Sequence, residues 1–305
     1  MGTNGTTTEK RADVYTRVTD RIVAELERGT RPWLKPWNAE HAAGRITRPL
    51  RFNGLPYSGI NILMLWGEAE TKGFACPIWM TFQQAKELGG FVRKGEHGSP
   101  VVYASKFNKK EEGDDGQEVE REIPFLKEYT VFNCEQIEGL PEKYYQLKDE
   151  SPKEPLERVE RVERFFGNAQ AEIRHGGNQA YYAIGNDYIQ MPPLQSFRDA
   201  ESYYATLAHE SCHWTRHPSR LDRDLGRKKW GDEGYALEEL VAELGSAFLS
   251  ADLEITPEVR EDHAAYVENW LKVLKSDKRA IFSAASYASR AVEFLHSLQP
   301  VAATP

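Results

Sequence analysis

The spacing of hydrophobic positions in the first half of the chain predicts three helices and two strands. A helix is predicted between Asp13 and Gly29 by apolar residues at helical spacing: Val14, Val18, Ile22, Val23 and Leu26. The apolar run from Ile60 to Trp66 predicts a second helix, and WMTFQQAKELGG predicts a short third helix. The alternation of β-branched residues in PVVYASKF and YTVFNC predicts two β-strands.

Two polar segments interrupt this pattern. The charged segment NKKEEGDDGQEVEREIP lies between the two predicted strands and predicts an exposed hairpin loop. The segment EGLPEKYYQLKDESPKEPLE has the proline and charge content of a linker. We therefore expect a domain boundary near residue 150, with one domain in residues 1–150 and a second in residues 151–305.

The second half predicts short strands followed by helices. A helix over Glu157 to Gly167 precedes strands around AEIRHG, QAYYAIG and DYIQMP. Four further helical segments are predicted at about 197–216, 234–252, 257–275 and 278–297. This order favours an α+β domain, so the fold class predicted for the chain is α+β with two domains.

Composition and charge narrow the classes of protein. Of the 305 residues 40% are hydrophobic, enough for packed cores. The chain begins without the apolar run of a signal peptide and has no apolar stretch long enough to cross a bilayer, so we expect a cytoplasmic protein without a membrane partner. Cys76, Cys134 and Cys212 are widely separated and odd in number, which argues against a disulfide framework.

The net charge of −8 is unevenly distributed along the chain. Residues 1–108 contain 15 Lys and Arg against 10 Asp and Glu, whereas the remainder contains 24 against 37. The first part therefore carries +5 and the second −13. Such an asymmetry indicates two parts that meet different partners.

The stretch YYATLAHESCHWTRH contains an H-E-x-x-H motif formed by His209, Glu210 and His213. Residues four apart on a helix share a face, so the two imidazoles can hold one ion. A zinc site of the catalytic kind needs a third protein ligand. The helix YALEELVAELGSAFLSA offers Glu239 as that ligand and Glu243 as an acceptor that orients one histidine; the reverse assignment, or Glu238, stays open. We expect Zn²⁺ or another divalent transition metal such as Mn²⁺.

Peptide hydrolysis is the usual chemistry of this motif. Glu210 is the expected general base, taking a proton from water and passing it to the leaving amine. Four tyrosines are candidates to stabilise the oxyanion, and the sequence does not choose among them: Tyr181, Tyr182, Tyr188 and Tyr235. The strand DYIQMP is expected to pair with an extended peptide substrate.

The first half combines basic and aromatic residues in a way that is typical of single-stranded nucleic-acid binding, in which cations contact phosphates and exposed rings stack on bases. The candidates are Arg31, Trp33, Lys35, Trp37, Arg48, Arg51 and Tyr57, with Arg93 and Lys94 in a glycine-flanked turn. The alternative is that Trp33 and Trp37 are core aromatics below a long loop.

Both halves resemble one family. The ordered segments PWLKPWNAE, RPLRFNGLPYSGINILMLW and WMTFQQAKELGGFVRKGE are similar to the single-stranded-DNA-binding domain of ArdC antirestriction proteins, which TraC-type plasmid primases share. YYATLAHESCHWTRHPSRLDRD and YALEELVAELGSAFL are similar to the zincin-like metallopeptidase domain that follows it in ArdC and in phage polyvalent proteins. The resemblance covers about residues 12–297.

The resemblance implies that His209, His213 and Glu239 hold a zinc-like ion. Relatives commonly have H-W-T-G-H, and Arg216 replaces the glycine here, a change that leaves the ligands intact and bears on the rim of the cleft. It further implies that the protein shields incoming plasmid DNA from host restriction, with single-stranded DNA bound during conjugation. The expected partners are single-stranded DNA and an unidentified protein substrate, for which a component of a host restriction system is one candidate.

Two other functions compete with this one. In the first, the metal only stabilises the fold, and a non-catalytic protein blocks restriction by covering single-stranded DNA. In the second, the protein is a metal-dependent nuclease; this is weaker, because nucleases favour clustered aspartates that bind magnesium or manganese.

Overall fold

The computed structural model describes residues 13–34, 47–112, 118–145, 155–226, 232–256 and 263–300. Helices and strands are mixed along the chain, which confirms the predicted α+β class. The described elements of the first half are α1 Val14–Glu27, β1 Leu50–Arg51, α2 Ile60–Lys72, β2 Ile78–Met80, α3 Phe82–Glu87, β3 Phe91–Val92, β4 Ser99–Glu112, β5 Glu118–Asn133 and β6 Ile137–Glu138.

The strands of the first half form two sheets. The larger sheet has the order β1-β2-β5-β4, in which β1 and β2 are parallel and the other pairs antiparallel. The smaller sheet pairs β3 with β6. The short helix α3 begins at Thr81, whose hydroxyl accepts from the Gln84 amide while the Gln84 side chain accepts from the Thr81 amide.

The charged segment between β4 and β5 differs from its prediction. Paired residues run from Ser99 opposite Val131 to Glu112 opposite Glu118, so much of the expected loop continues the two strands. The loop prediction was wrong there because strands are recognised in a sequence by one apolar face, and this segment has no such face. Its backbone groups are paired across the ladder all the same.

The second half consists of a helix, a small sheet and four further helices. Its elements are α4 Pro155–Ala169, β7 Glu172–His175, β8 Tyr181–Ala183, β9 Tyr188–Met191, α5 Ala200–Trp214, α6 Glu233–Leu253, α7 His263–Ser276 and α8 Ala280–Ser297. The sheet has the order β7-β9-β8, with β7 parallel and β8 antiparallel to β9. Among the helices described, none is both long and apolar enough to span a bilayer.

The hydrophobic core joins the first half of the chain to the second. Trp33 packs edge-on against Trp270 of α7 at 5.7 Å between ring centroids, and Trp66 of α2 packs against Phe248 of α6 at 5.8 Å. Helix α1 also contacts α7. One continuous cluster of buried apolar side chains therefore spans both halves. The boundary predicted near residue 150 lies outside the described residues.

Cys76 and Cys134 are joined in a disulfide, with their Cα atoms 6.8 Å apart. The expectation that the cysteines would not pair was therefore wrong for these two. They are 58 positions apart in the sequence, and they meet because Cys76 lies just before β2 and Cys134 just after β5, which pairs with β2. Cys212 is free and buried, as expected of a packed thiol.

Candidate metal centre

The candidate site is built on α5 and α6, two helices that are buried over most of their length. Each begins at an aspartate: Asp199 accepts a hydrogen bond from the Ser202 amide, and Asp232 accepts one from the Tyr235 amide. The helices are joined by a hydrogen bond from the Ser246 hydroxyl to the Ala205 carbonyl at 3.1 Å. Their relative position is thus set by caps and by direct contact.

Three side chains on these helices converge on one point. His209 Nε2 lies 3.6 Å from Glu239 Oε2, and His213 Nε2 lies 3.6 Å from Glu239 Oε1. One potential ligand atom from each residue falls within 4.8 Å of the other two. All three residues are at most 9% exposed. Two imidazoles and one carboxylate at these separations can coordinate a common divalent ion.

Glu238 orients the second histidine. His213 Nδ1–H donates to Glu238 Oε1 at 3.0 Å, so Nε2 is turned toward Glu239. The same carboxylate also accepts two bonds from Arg223, from Nε to Oε2 at 2.8 Å and from Nη2 to Oε1 at 2.7 Å. Burial alone would raise the pKa of Glu238, but Arg223 and His213 bring it down to about 2. The carboxylate is therefore ionised and acts as a fixed acceptor.

The charge of the cluster fits a divalent cation. Burial opposes ionisation of Glu239, yet the two histidines hold the pKa of its carboxyl well below the usual range. Burial likewise opposes a charge on His213, but Glu239 and Glu238 raise its pKa to about 10. A histidine that binds a metal ion is neutral, so the formal charge of the site then comes from four buried glutamates and two arginines and amounts to −2. One divalent ion would balance this charge. The six residues are Glu210, Glu238, Glu239, Glu243, Arg31 and Arg223.

Glu243 lies beside the first histidine, on the side predicted for an orienting acceptor. Its Oε2 is 3.9 Å from His209 Nδ1, an ion-pair distance and not that of a hydrogen bond. Its Oε1 accepts from Arg31 at 3.0 Å and from the Trp33 indole at 3.2 Å. The carboxylate is thus shared between the histidine and the first half of the chain.

Glu210 and Cys212 occupy the same helix turn but have different surroundings. Glu210 follows His209 directly and is 3% exposed. Cys212 is fully buried, and this burial raises the pKa of its thiol to about 12. A neutral thiol is a poor metal ligand and a poor nucleophile, so Cys212 is a packing residue here.

The four candidate tyrosines fall into two groups. The hydroxyls of Tyr181 and Tyr188 lie 3.3 Å from each other, and the Tyr182 hydroxyl donates to Asp187. Tyr235 is different because it lies one helical turn before Glu239. Burial, the charge of Glu239 and a bond with Tyr266 all raise the pKa of Tyr235. Of the four, Tyr235 is the one that interacts with a member of the converging triad.

The predicted substrate strand does not have a free edge. The segment DYIQMP forms β9, which is paired on one side with β7 and on the other with β8. Its backbone groups are therefore already used in the ladder, and the prediction that it pairs with a peptide was wrong. The edge strand on the antiparallel side is β8, which also contacts α5.

Two of the predicted DNA-stacking rings are in the core. Trp33 is 0% exposed and Tyr57 is 3% exposed, so neither can stack on a base in this structure. The interpretation of Trp33 as a core aromatic was the right one. The sequence could not distinguish an exposed ring from a core ring, because prolines and cations can flank a tryptophan in both positions.

The predicted phosphate-binding cations fall into two groups, one paired with internal carboxylates and one exposed. Arg31 pairs with Glu243 and Arg48 with Asp252, and both arginine side chains are only 11% exposed. These two are committed to internal carboxylates, contrary to the prediction. Arg51, Arg93 and Lys94 are exposed. The remaining candidates, Lys35 and Trp37, lie outside the described residues.

Sequence reasoning missed two functional contacts. It considered Glu238 only as an alternative ligand, and it did not consider Arg223 at all. The available signal was that Glu238, like Glu239, lies on an apolar helix and needs a buried partner. Nothing in the sequence pairs that glutamate with an arginine 15 positions away across a loop.

Two family models match the chain in succession. Residues 12–132 match the N-terminal domain of the anti-restriction factor ArdC, and residues 160–287 match the zincin-like metallopeptidase family of polyvalent proteins. The first match covers nearly all of the positively charged segment 1–108, and the second lies within the negatively charged remainder. The second contains the whole H-E-x-x-H motif and Glu239.

Among similar proteins, y4eC of Sinorhizobium fredii is 40% identical, over 97% of this chain and 96% of its own length. The DNA primase TraC of Escherichia coli is 38% identical over 94% of this chain, which spans 27% of that primase.

Two crystal structures of ArdC from plasmid R388 have 45% sequence identity to this chain and superpose on it. The metal-free structure has a TM-score of 0.78 and the Mn(II)-bound structure 0.75, each covering 94% of this chain and 98% of the other. Identity at this level over nearly the full length of both chains, with both family models in order, establishes the relationship. The chain belongs to the ArdC family of antirestriction proteins.

Proposed function

We propose that this protein is a metal-dependent peptidase joined to a single-stranded-DNA-binding half, and that it protects incoming plasmid DNA from host restriction. The observation that carries the proposal is the convergence of His209, His213 and Glu239, with Glu210 on the same helix as both histidines. The similarity to antirestriction ArdC supports the biological context.

The proposed ion is Zn²⁺, with Mn²⁺ as the alternative that the Mn(II)-bound relative supports. Two histidines and one glutamate form the protein ligand set of several zinc peptidases. Such an ion supplies Lewis acidity, which polarises a peptide carbonyl and acidifies the attacking water. In this proposal His209, His213 and Glu239 hold the ion, and Glu238 keeps the His213 imidazole in the required tautomer.

The protein side chains carry the proton transfers. Glu210 accepts the proton of the attacking water and returns it to the amine that leaves. Tyr235 is the candidate donor to the oxyanion, since it adjoins Glu239. The extended substrate would pair with β8, because this strand lies at the sheet edge and contacts α5.

The proposal is tested with Glu210→Ala in the full-length protein. We expect this variant to bind Mn²⁺ and oligo-dT as the wild type does, but to lose protection, measured as plasmid entry into restricting relative to non-restricting recipient cells. Glu172→Ala is the matched control, because this glutamate is exposed and lies on β7, outside the two helices that carry the triad. Full protection by Glu210→Ala would overturn the catalytic proposal in favour of a protein that acts by covering DNA.

For DNA binding we propose a surface formed by Phe91, Arg93 and Lys94, named here the Phe91 turn. The Phe91 ring is 58% exposed on the two-residue strand β3, and both cations are exposed directly after it. An exposed ring with adjacent cations is the combination that single-stranded DNA requires. Phe91 was not among the sequence candidates, although it stands two residues before Arg93.

This surface is tested by oligo-dT affinity. Replacing Phe91 with alanine removes one stacking partner, which corresponds to about 1–3 kcal/mol per base. Tyr181→Ala is the control, because Tyr181 is also exposed but lies in the second half. Lys94→Ala should weaken binding to all DNA sequences about equally. The slope of log affinity against log salt concentration should become shallower by about one. Unchanged affinity in both Phe91→Ala and Lys94→Ala would place the DNA elsewhere.

A further inference from the structure

We infer that Arg31 and Trp33 are positioning residues of the metal centre and act through Glu243, so that the first half of the chain completes a site whose ligands all lie in the second half. The inference rests on the proposed metal site. It gives the RPW stretch a role different from DNA contact.

The first line of support is the environment of Glu243. Its Oε1 accepts from Arg31 Nη1 at 3.0 Å and from Trp33 Nε1 at 3.2 Å, while Oε2 faces His209 Nδ1 at 3.9 Å. The Glu243 side chain is 8% exposed and that of Arg31 is 11% exposed. A carboxylate in such a place depends on its donors, because water cannot replace them. Arg31 and Trp33 therefore fix the rotamer of the group that faces His209.

The second line of support is a row of aromatic rings on the other side of Trp33. The Trp33 ring packs against Trp270, Trp270 stacks on Tyr266 at 6.3 Å, and Tyr266 stacks on Tyr235 at 6.1 Å. The hydroxyls of Tyr266 and Tyr235 lie 3.1 Å apart, and Tyr235 adjoins Glu239. Trp33 is thus connected to His209 through Glu243, and to Glu239 through the row of rings that begins on α7.

The physical consequence concerns ring orientation. A metal-binding histidine is held in place by the partner of its other ring nitrogen, and loss of that partner typically lowers metal affinity about 10–100-fold. For His213 the partner is Glu238, which is anchored by Arg223. For His209 the carboxylate that faces the other ring nitrogen is Glu243, at the ion-pair distance of 3.9 Å, and it is anchored by Arg31 and Trp33. Each histidine thus faces an anchored glutamate, and one of the two anchors comes from the other half of the chain.

The test is a calorimetric Mn²⁺ titration of the full-length protein and its variants. Trp33→Phe keeps an aromatic ring against Trp270 but removes the indole donor, and Arg31→Met keeps the aliphatic stem but removes the charge. We expect each to weaken Mn²⁺ binding about tenfold or more. Trp66→Phe is the matched control: it also removes a buried indole donor, here to the Thr47 carbonyl, and should leave the affinity unchanged.

A cycle with Glu243→Gln separates positioning from a general loss of packing. If Arg31 and Trp33 act through Glu243, either substitution should have little further effect on Mn²⁺ affinity in the Glu243→Gln background. Arg31→Met should also retain oligo-dT affinity, which a phosphate-contact role for this cation would not allow. If Trp33→Phe shows no cooperative unfolding transition, it is not properly folded, and the conclusion is drawn from Arg31→Met.

The outcomes separate this inference from the proposed function. If the wild type binds no Mn²⁺ or Zn²⁺, or if His209→Ala binds as well as the wild type, the metal site itself is wrong. If His209→Ala abolishes binding while Arg31→Met and Trp33→Phe retain wild-type affinity, only the positioning role is overturned. Equal losses in the wild-type and Glu243→Gln backgrounds would also contradict it.

Discussion

A β-carbon on Gly245 would lie 2.6 Å from the sulfur of Cys212, so α5 and α6 touch where neither helix has room for a further atom. Cys212 precedes His213, and Gly245 follows Glu243 by two positions. This contact is therefore adjacent to His213 on α5 and lies less than two turns after Glu239 on α6. The separation of the ligands depends on this contact between a thiol and a residue without a side chain.

Gly245→Ala should consequently separate the helices. Adding a methyl group to a packed interior typically costs about 1–3 kcal/mol, and we expect a loss of this size in the free energy of unfolding measured in urea. Mn²⁺ affinity should also fall, because the distances to Glu239 change. Gly167→Ala in α4 is the control: its β-carbon would meet nothing within 4 Å, so the helix should be unchanged or slightly more stable.

A second substitution makes this prediction specific. Cys212→Ala removes the sulfur that the new methyl group would meet, so the double variant should recover part of the stability and of the Mn²⁺ affinity. Additive losses in the double variant would mean that the helices are not held apart by this pair.

Arg223→Met tests the anchor of Glu238. The substitution leaves an ionised carboxylate buried with His213 as its remaining named side-chain partner, and breaking a buried pair in this way typically costs about 3–5 kcal/mol. Mn²⁺ affinity should decrease as well, since Glu238 is no longer fixed. Arg174→Met removes an exposed pair with Glu172 and should cost far less, because solvent screens exposed charges. Equal costs in urea unfolding for the two variants would contradict the buried role.

A protein truncated to residues 155–305 should not behave as an independent domain. The cut removes Trp33, α1 and α2, which cover parts of α7, α8 and α6 in the shared core. We expect weak or absent cooperativity in thermal unfolding and exposed apolar surface that binds a hydrophobic dye. A truncated chain with a sharp transition and wild-type Mn²⁺ affinity would show that the second half folds on its own. It would also contradict the role inferred for Arg31 and Trp33.

Local patterns predicted most of the fold and the centre of the site. The helices at Val14, Ile60 and Ala200 follow from apolar spacing and capping, which are properties of neighbouring residues. The positions of His209 and His213 follow from helical geometry alone. Glu239 reaches the histidines only because α6 lies against α5. The sequence indicates it as a ligand only indirectly, because a glutamate on an apolar helix is expected to be buried and to need a partner.

What the sequence could not predict depends on contacts between distant segments. The basic neighbours of Trp33 make it a candidate for DNA binding as well as for the core, whereas its indole donates a hydrogen bond to Glu243, 210 positions away. Cys76 meets Cys134 only because β2 pairs with β5. The role of Arg223 likewise appears only when the segment after α5 folds back to α6.

The proposed function requires that His209, His213 and Glu239 hold one divalent ion. The most direct measurement is the metal content, by elemental analysis, of the purified wild type beside His209→Ala, His213→Ala and Glu239→Ala, with Glu172→Ala as the surface control. We predict one zinc or manganese ion per chain in the wild type and the control, and a large loss in each of the three ligand variants. The same stoichiometry in all five proteins would contradict it.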